Sequence, residues 1–107
     1  MPNKYHYQFT KVAASDIGET LEYISDSLSS PLSAEQLYGK IEKAIEQICS
    51  FPYAFADCSC FLIADKNVRH VPVRNYVIIY EVSEEEAMVR ILRFLYSKMD
   101  LPNVVIQ

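Results

Sequence analysis

Arg69, Arg74, Arg90 and Arg93 all fall in the last third of a 107-residue chain, and no arginine precedes them. A guanidinium is planar, permanently charged and donates paired hydrogen bonds, so it suits phosphate and carboxylate groups. Phosphoryl chemistry also needs a group to take a proton, a group to return one, and cations where charge develops. The general base is the missing part. His70 has a suitable unperturbed pKa, but strand alternation turns it away from Arg69 and Val71. His6, in the first strand, reads as an edge residue. Each arginine also has a plain structural reading, pairing with surface carboxylates, for which Glu84, Glu85 and Glu86 are the nearest in sequence.

The charge around these residues restricts what they can hold. The net charge is −4, with −5 over residues 1–65 and +1 over residues 66–107. An acidic chain is repelled by nucleic acid at long range, so only weak binding to free nucleic acid is expected. Any such role needs a local patch or a large docked partner. No run of apolar residues is long enough to cross a bilayer, and the amino terminus carries no apolar signal segment, so the expectation is a cytoplasmic protein with no membrane contact. Cys49 lies on a helical face and reads as a core residue. Cys58 and Cys60 form a lone C-x-C and read as loop thiols, short of a zinc site, and no metal or other cofactor is expected.

The elements that position these side chains follow from period and punctuation. Tyr5, Tyr7 and Phe9 alternate with His6, Gln8 and Thr10, the pattern of a strand with one buried face. Ile17, Leu21, Ile24 and Leu28 trace one face of a helix capped by Ser15 or Asp16. Ser33 and Gln36 fit a capping box for a second helix, whose face is Leu37, Ile41, Ala44, Ile45 and Ile48 and which ends by Phe51 because of Pro52. Residues 53–66 read as a loop with a short strand at Cys60–Ile63. Strands are predicted at Val68–Val73, Tyr76–Val82 and Ala87–Leu95, the middle one apolar on both faces as a central strand is. The predicted fold is α+β in the order β-α-α-β-β-β: a helical hairpin on one face of a mainly antiparallel sheet, with the other face partly open. One domain spans 1–101, followed by a short tail, 102–107.

Three segments, in this order, resemble the RelE/ParE superfamily of toxins from toxin–antitoxin pairs. They are Glu42–Ile48 leading into Phe51-Pro52-Tyr53, the arginine strand and following N-Y-x-I-x-Y-x-V strand of Val68–Val82, and the closing Ile91–Leu101 segment. Tyr96 stands where the family has a late histidine, and Lys98 where an arginine follows it. In the messenger-RNA-cleaving branch, the resemblance implies attack of a ribose 2′-hydroxyl on the adjacent phosphate without a metal. Arg69, Arg93 and Tyr96 would then be the catalytic residues, and Arg74 and Lys98 would bind the substrate backbone.

The resemblance implies a cognate antitoxin as partner, laid over the sheet or the helical hairpin by strand addition or by burial of an apolar helix. The target expected first is the ribosome with its messenger RNA, whose groups would supplement a base-poor site; the alternative is DNA gyrase, poisoned by contact without any catalysis. A third reading is a decayed toxin that only binds its antitoxin.

Overall fold

The computed structural model describes residues 5–54, 56–57 and 68–97. Its elements are β1 (His6–Phe9), α1 (Lys11–Glu22) continued by a π-helical turn at Tyr23–Ser27, α2 (Pro31–Ser50), β2 (Ala56–Asp57), β3 (Val68–Val73), β4 (Tyr76–Ser83) and β5 (Met88–Tyr96). The sheet order is β1-β5-β4-β3-β2. Strands β2 to β5 pair antiparallel, whereas β1 pairs parallel with β5 from His6 opposite Met88 to Phe9 opposite Ile91. The fold is the expected one, a helical hairpin on one face of a mainly antiparallel sheet.

The hairpin is held by the stripe that its period predicts. Leu37, Ile41, Ala44, Ile45 and Ile48 of α2 are buried against Val71, Val73, Ile78, Tyr80, Ile91 and Phe94 of the sheet. Burying a side chain of this size contributes roughly 1.5–3 kcal/mol, so this interface dominates the hairpin's docking. Cys49 sits in the same core as a free thiol, and burial raises its pKa. Strand β4 is buried on both faces, as its composition requires. Val77 and Ile79 point away from the hairpin and, with Leu95, are almost fully buried. The far face is therefore buried at its centre.

Both helices start earlier than the sequence pattern indicates. Thr10, not Ser15 or Asp16, caps α1: its hydroxyl accepts from the Ala13 amide at 3.0 Å and donates to the Leu92 carbonyl at 3.0 Å. Ser15 instead bonds Glu19 within the helix. In α2 the first residue is Pro31, whose fixed φ and missing N–H suit the first helical position, so the helix begins one half-turn before Ser33. Ser33 bonds the Ser30 hydroxyl at 2.6 Å in place of a capping box.

The strands differ in two respects. All four residues of β1 are exposed, so its alternation marks a face that the hairpin does not close over. A two-residue strand, Ala56–Asp57, pairs with β3; the strand expected at Cys60–Ile63, the thiols Cys58 and Cys60, Lys98 and the tail 102–107 lie outside the described residues.

Candidate functional site

Arg93 and Asp16 meet through two guanidinium nitrogens and both carboxylate oxygens. Strand β1 pairs with β5 only as far as Ile91, and beyond it α1 runs along the vacated edge. There the Asp16 carboxylate accepts from Arg93 Nε at 2.8 Å and Nη2 at 3.2 Å, and from the Phe94 amide at 3.1 Å. Asp16 thus satisfies a strand-edge N–H and a guanidinium together. A bulge makes this possible: Tyr80 faces Ile91 and Ile79 faces Arg93, so Leu92 is the extra residue and Arg93 is re-aimed towards the helix. Both side chains are about four-fifths buried, where a charged pair is screened less than at the surface.

Arg69 sits at a different place. It pairs across β3 and β4 with Tyr80, and its guanidinium carbon lies 5.0 Å from the centre of the Tyr53 ring, within cation–π range. The Tyr53 hydroxyl donates to Glu84 at 3.0 Å, and the Tyr5 hydroxyl donates to the same oxygen. The hydrogen bond to Glu84 pushes the Tyr5 pKa up to about 12, while Tyr53 is raised by burial and then by Glu84. Tyr80, fully buried, donates to the Pro52 carbonyl at 2.7 Å; burial pushes its pKa up to about 12, against a lowering by Arg69. This cluster ties the chain before β1, the end of α2, β3 and the β4–β5 turn. Glu84, which the sequence offers only as a surface carboxylate near the arginines, is its hub.

The other arginines are further apart. Arg90 pairs with Glu81, its cross-strand partner, at 2.8 Å, so its carboxylate comes from the strand and not from Glu84–Glu86. Arg74 occupies the two-residue β3–β4 turn with φ of 56°, exposed. Tyr96 ends β5 opposite Tyr76, the two rings 5.7 Å apart at 65°, and Tyr76 stacks on Phe94 at 5.0 Å. Tyr96 and Arg74 therefore share one end of the sheet, where the Ser97 amide bonds the Asn75 carbonyl. Arg69 and Arg93 are separated by strand β4, roughly 10 Å between backbones at ordinary strand spacing. Among the described residues, the predicted site residues Arg69, Arg93, Tyr96 and Arg74 fall in three environments. His70 faces away from Arg69, as alternation predicts, and its Nδ1 is buried without a hydrogen-bond partner among the described residues.

A groove of about 540 Å³ opens where β1, α1 and α2 meet. Its walls are Tyr7 and Phe9 from β1, Ala14, Ile17 and Gly18 from α1, and Tyr38, Ile41, Glu42, Ile45, Glu46 and Cys49 from α2. None of these was singled out as functional by its sequence pattern, although the alternation of Tyr7 and Phe9 marks a face that needs cover. No group of His, Cys, Asp or Glu suited to a metal occurs among the described residues, and none of their helices is long and apolar enough to cross a membrane.

A family model described as the ParE toxin of the type II toxin–antitoxin system parDE matches residues 7–101. No curated protein matches the chain by sequence. Among solved structures, the chain is similar to one from the chromosomal ParDE toxin–antitoxin system of P. aeruginosa, with a TM-score of 0.69 at 15% identity, covering 89% of this chain and 98% of that one. It is also similar to a chain of the RelBE2 toxin–antitoxin complex of Mycobacterium tuberculosis (TM-score 0.57, 18% identity, 87% and 98% covered). A third is in the archaeal RelE–RelB complex of Pyrococcus horikoshii (TM-score 0.59, 13% identity, 90% and 98% covered). At these identities the structural likeness is one of fold, and the match over residues 7–101 gives the family: the chain belongs to the ParE toxins of type II toxin–antitoxin systems.

Proposed function

We propose that this toxin, held silent by a cognate antitoxin in the cytoplasm, disables its target by protein contact and not by cutting RNA, with DNA gyrase as the target. The observation that carries this reading is the engagement of Arg93 by Asp16. A catalytic phosphate ligand needs its guanidinium fork turned to the substrate, whereas Arg93 turns Nε and Nη2 to a carboxylate on α1. Arg69 is stacked on Tyr53, and Arg90 is paired with Glu81. The net charge of −4 points the same way, because an RNA-cleaving site must first attract a polyanion. Contact with a folded target needs neither a general base nor a concentrated cation patch.

A second reading is ribosome-dependent cleavage of messenger RNA, with Arg69, Arg93 and Tyr96 acting on the phosphate and Arg74 and Lys98 holding the backbone. The observation favouring it is the exposed Tyr96 ring, braced by Tyr76 beside the Arg74 turn, an arrangement suited to stacking on a base. The two readings separate on purified components. The contact reading expects the chain to inhibit supercoiling by gyrase in a dose-dependent way and to leave messenger RNA on programmed ribosomes intact. RNA cut on ribosomes, with gyrase unaffected, would select the second.

A further inference from the structure

We infer that the end of the sheet beside the hairpin tip, where Tyr23, Tyr96 and Arg74 gather, is the face by which the toxin grips its protein target, Arg74 meeting a carboxylate on that target. The inference rests on the contact reading for the target, gyrase, and on the geometry of this face for its chemistry.

Helical phase brings Tyr23 to this end. Helix α1 runs the way β5 does, from Thr10 bonded to the Leu92 carbonyl to Asp16 bonded to the Phe94 amide. Tyr23 follows Asp16 by seven residues, still with helical backbone (φ −60°, ψ −46°), so it shares the helix face of Asp16 and lies roughly 10 Å further along. Strand β5 ends two residues beyond Phe94, at Tyr96. The rings of Tyr23 and Tyr96 thus converge, one from the helix and one from the strand, around Tyr76. Burial raises the Tyr76 pKa first, and the neighbouring hydroxyls of Tyr96 and Tyr23 raise it further. Tyr76 stacks on Phe94 at 5.0 Å and meets Tyr96 at 5.7 Å, so the cluster is anchored from beneath. Above, it is open: Tyr23 is 56% exposed and Tyr96 42%.

Exposed rings held from beneath supply contact area while few torsions are frozen, and tyrosine and arginine are the residues that most often carry the energy of a protein contact. Arg74 occupies the adjoining β3–β4 turn, exposed, with φ of 56°. Glycine would take that backbone without strain, and strain of this kind persists where a side chain is used. Arg69, Arg90 and Arg93 are engaged by Tyr53, Glu81 and Asp16, whereas no ion pair of Arg74 occurs among the described residues. A guanidinium beside two rings matches a carboxylate flanked by apolar side chains. A nucleic-acid strand is instead drawn by several cations in a row, and this chain has a net charge of −4.

The test titrates the full chain and its variants against assembled gyrase, reading supercoiling and, without DNA, binding of the fluorescently labelled toxin. Tyr23→Ala, Tyr96→Ala and Arg74→Gly are each expected to raise the half-inhibitory dose at least about tenfold, the level of a residue at the centre of a contact. Tyr23→Phe and Tyr96→Phe keep the rings and are expected to recover inhibition to within about threefold of the wild type. Arg74→Glu should lose about tenfold more than Arg74→Gly, because it sets like charges together, and added salt should narrow that gap. Lys40→Glu makes the same change of net charge at an exposed position of α2 and should inhibit as the wild type does. Arg74→Gly relieves the turn, so its loss of inhibition, with an unchanged circular dichroism spectrum, is not a loss of fold. Inhibition by Tyr23→Ala, Tyr96→Ala and Arg74→Gly at the wild-type dose would overturn the proposal and leave the contact reading standing. So would equal losses in Arg74→Gly and Arg74→Glu, or a loss in Lys40→Glu as large as in Arg74→Glu. An effect of Arg74 seen only with DNA present would assign it to a phosphate and overturn the proposal too. A wild-type chain that leaves gyrase unaffected removes the contact reading and this inference with it; message cutting on ribosomes, abolished by Arg74→Glu, would then make the face an RNA site.

Discussion

Replacing Asp16 with asparagine keeps the side-chain shape and removes the charge that engages Arg93 and the Phe94 amide. The variant is expected to lose about 2 kcal/mol, since hydrogen bonds to charged groups in this setting contribute roughly 1.5–3 kcal/mol. Arg93→Ala should lose a similar amount. The double variant should lose clearly less than the two together, because each single change leaves the other partner, about four-fifths buried, without its counter-charge. Urea unfolding of the four proteins measures this, and additive losses would show that the pair is not coupled. Tyr80 gives a prediction of different sign. Its folded pKa of about 12 lies above the ordinary tyrosine value, so the folded state keeps this proton after the unfolded chain has lost it. Its contribution is complete below about pH 10 and is lost as pH rises through about 12. Stability should therefore fall between those values, and Tyr80→Phe should fall less steeply across the same window in urea melts. The phenylalanine variant also loses the bond to Pro52, worth about 1 kcal/mol at neutral pH.

Among the elements, α1 and the β3–β4 turn offer the clearest tests. Thr10→Ala removes both the helix cap and the tie to Leu92, and should cost about 1–2 kcal/mol in thermal or urea unfolding. Arg74→Gly should stabilise by about half a kcal/mol, as the relief of a left-handed backbone outweighs the extra freedom of glycine in the unfolded chain. A drop in melting temperature for Arg74→Gly would contradict that. These elements also show what was legible in the sequence. The stripe of α2 was readable because the sheet buries all of it, and β3, β4 and β5 fall where their composition put them, to within one residue at each end. The start of α1 was not, because Thr10 earns its role from Leu92, 82 residues away, which no local pattern records. Asp16 was misread as a cap for the same reason: its partner lies 77 residues on. In β1 the alternation identified the apolar face but could not reveal that the hairpin leaves it uncovered. For the candidate site, the sequence supplied the residues and the family; the bulge at Leu92 and the Asp16 contact, both tertiary, decide where Arg93 points.

At the scale of the whole molecule, the four arginines do not add up to one phosphate site. One fastens α1 to β5, one stacks at the end of α2, one pairs across strands, and one tips a hairpin. The open apolar surface lies elsewhere, on the acidic hairpin side, where Tyr7 and Phe9 await cover. A molecule with three of its four arginines engaged and its apolar groove acidic is built to meet proteins. The most direct test is a pulse of expression without antitoxin, with messenger-RNA 5′ ends and plasmid supercoiling read in the same cells. The account predicts loss of negative supercoiling with message ends unchanged, for the wild type and for Tyr96→Phe alike. New message ends at ribosome-occupied codons, abolished by Tyr96→Phe while supercoiling stays normal, would contradict it.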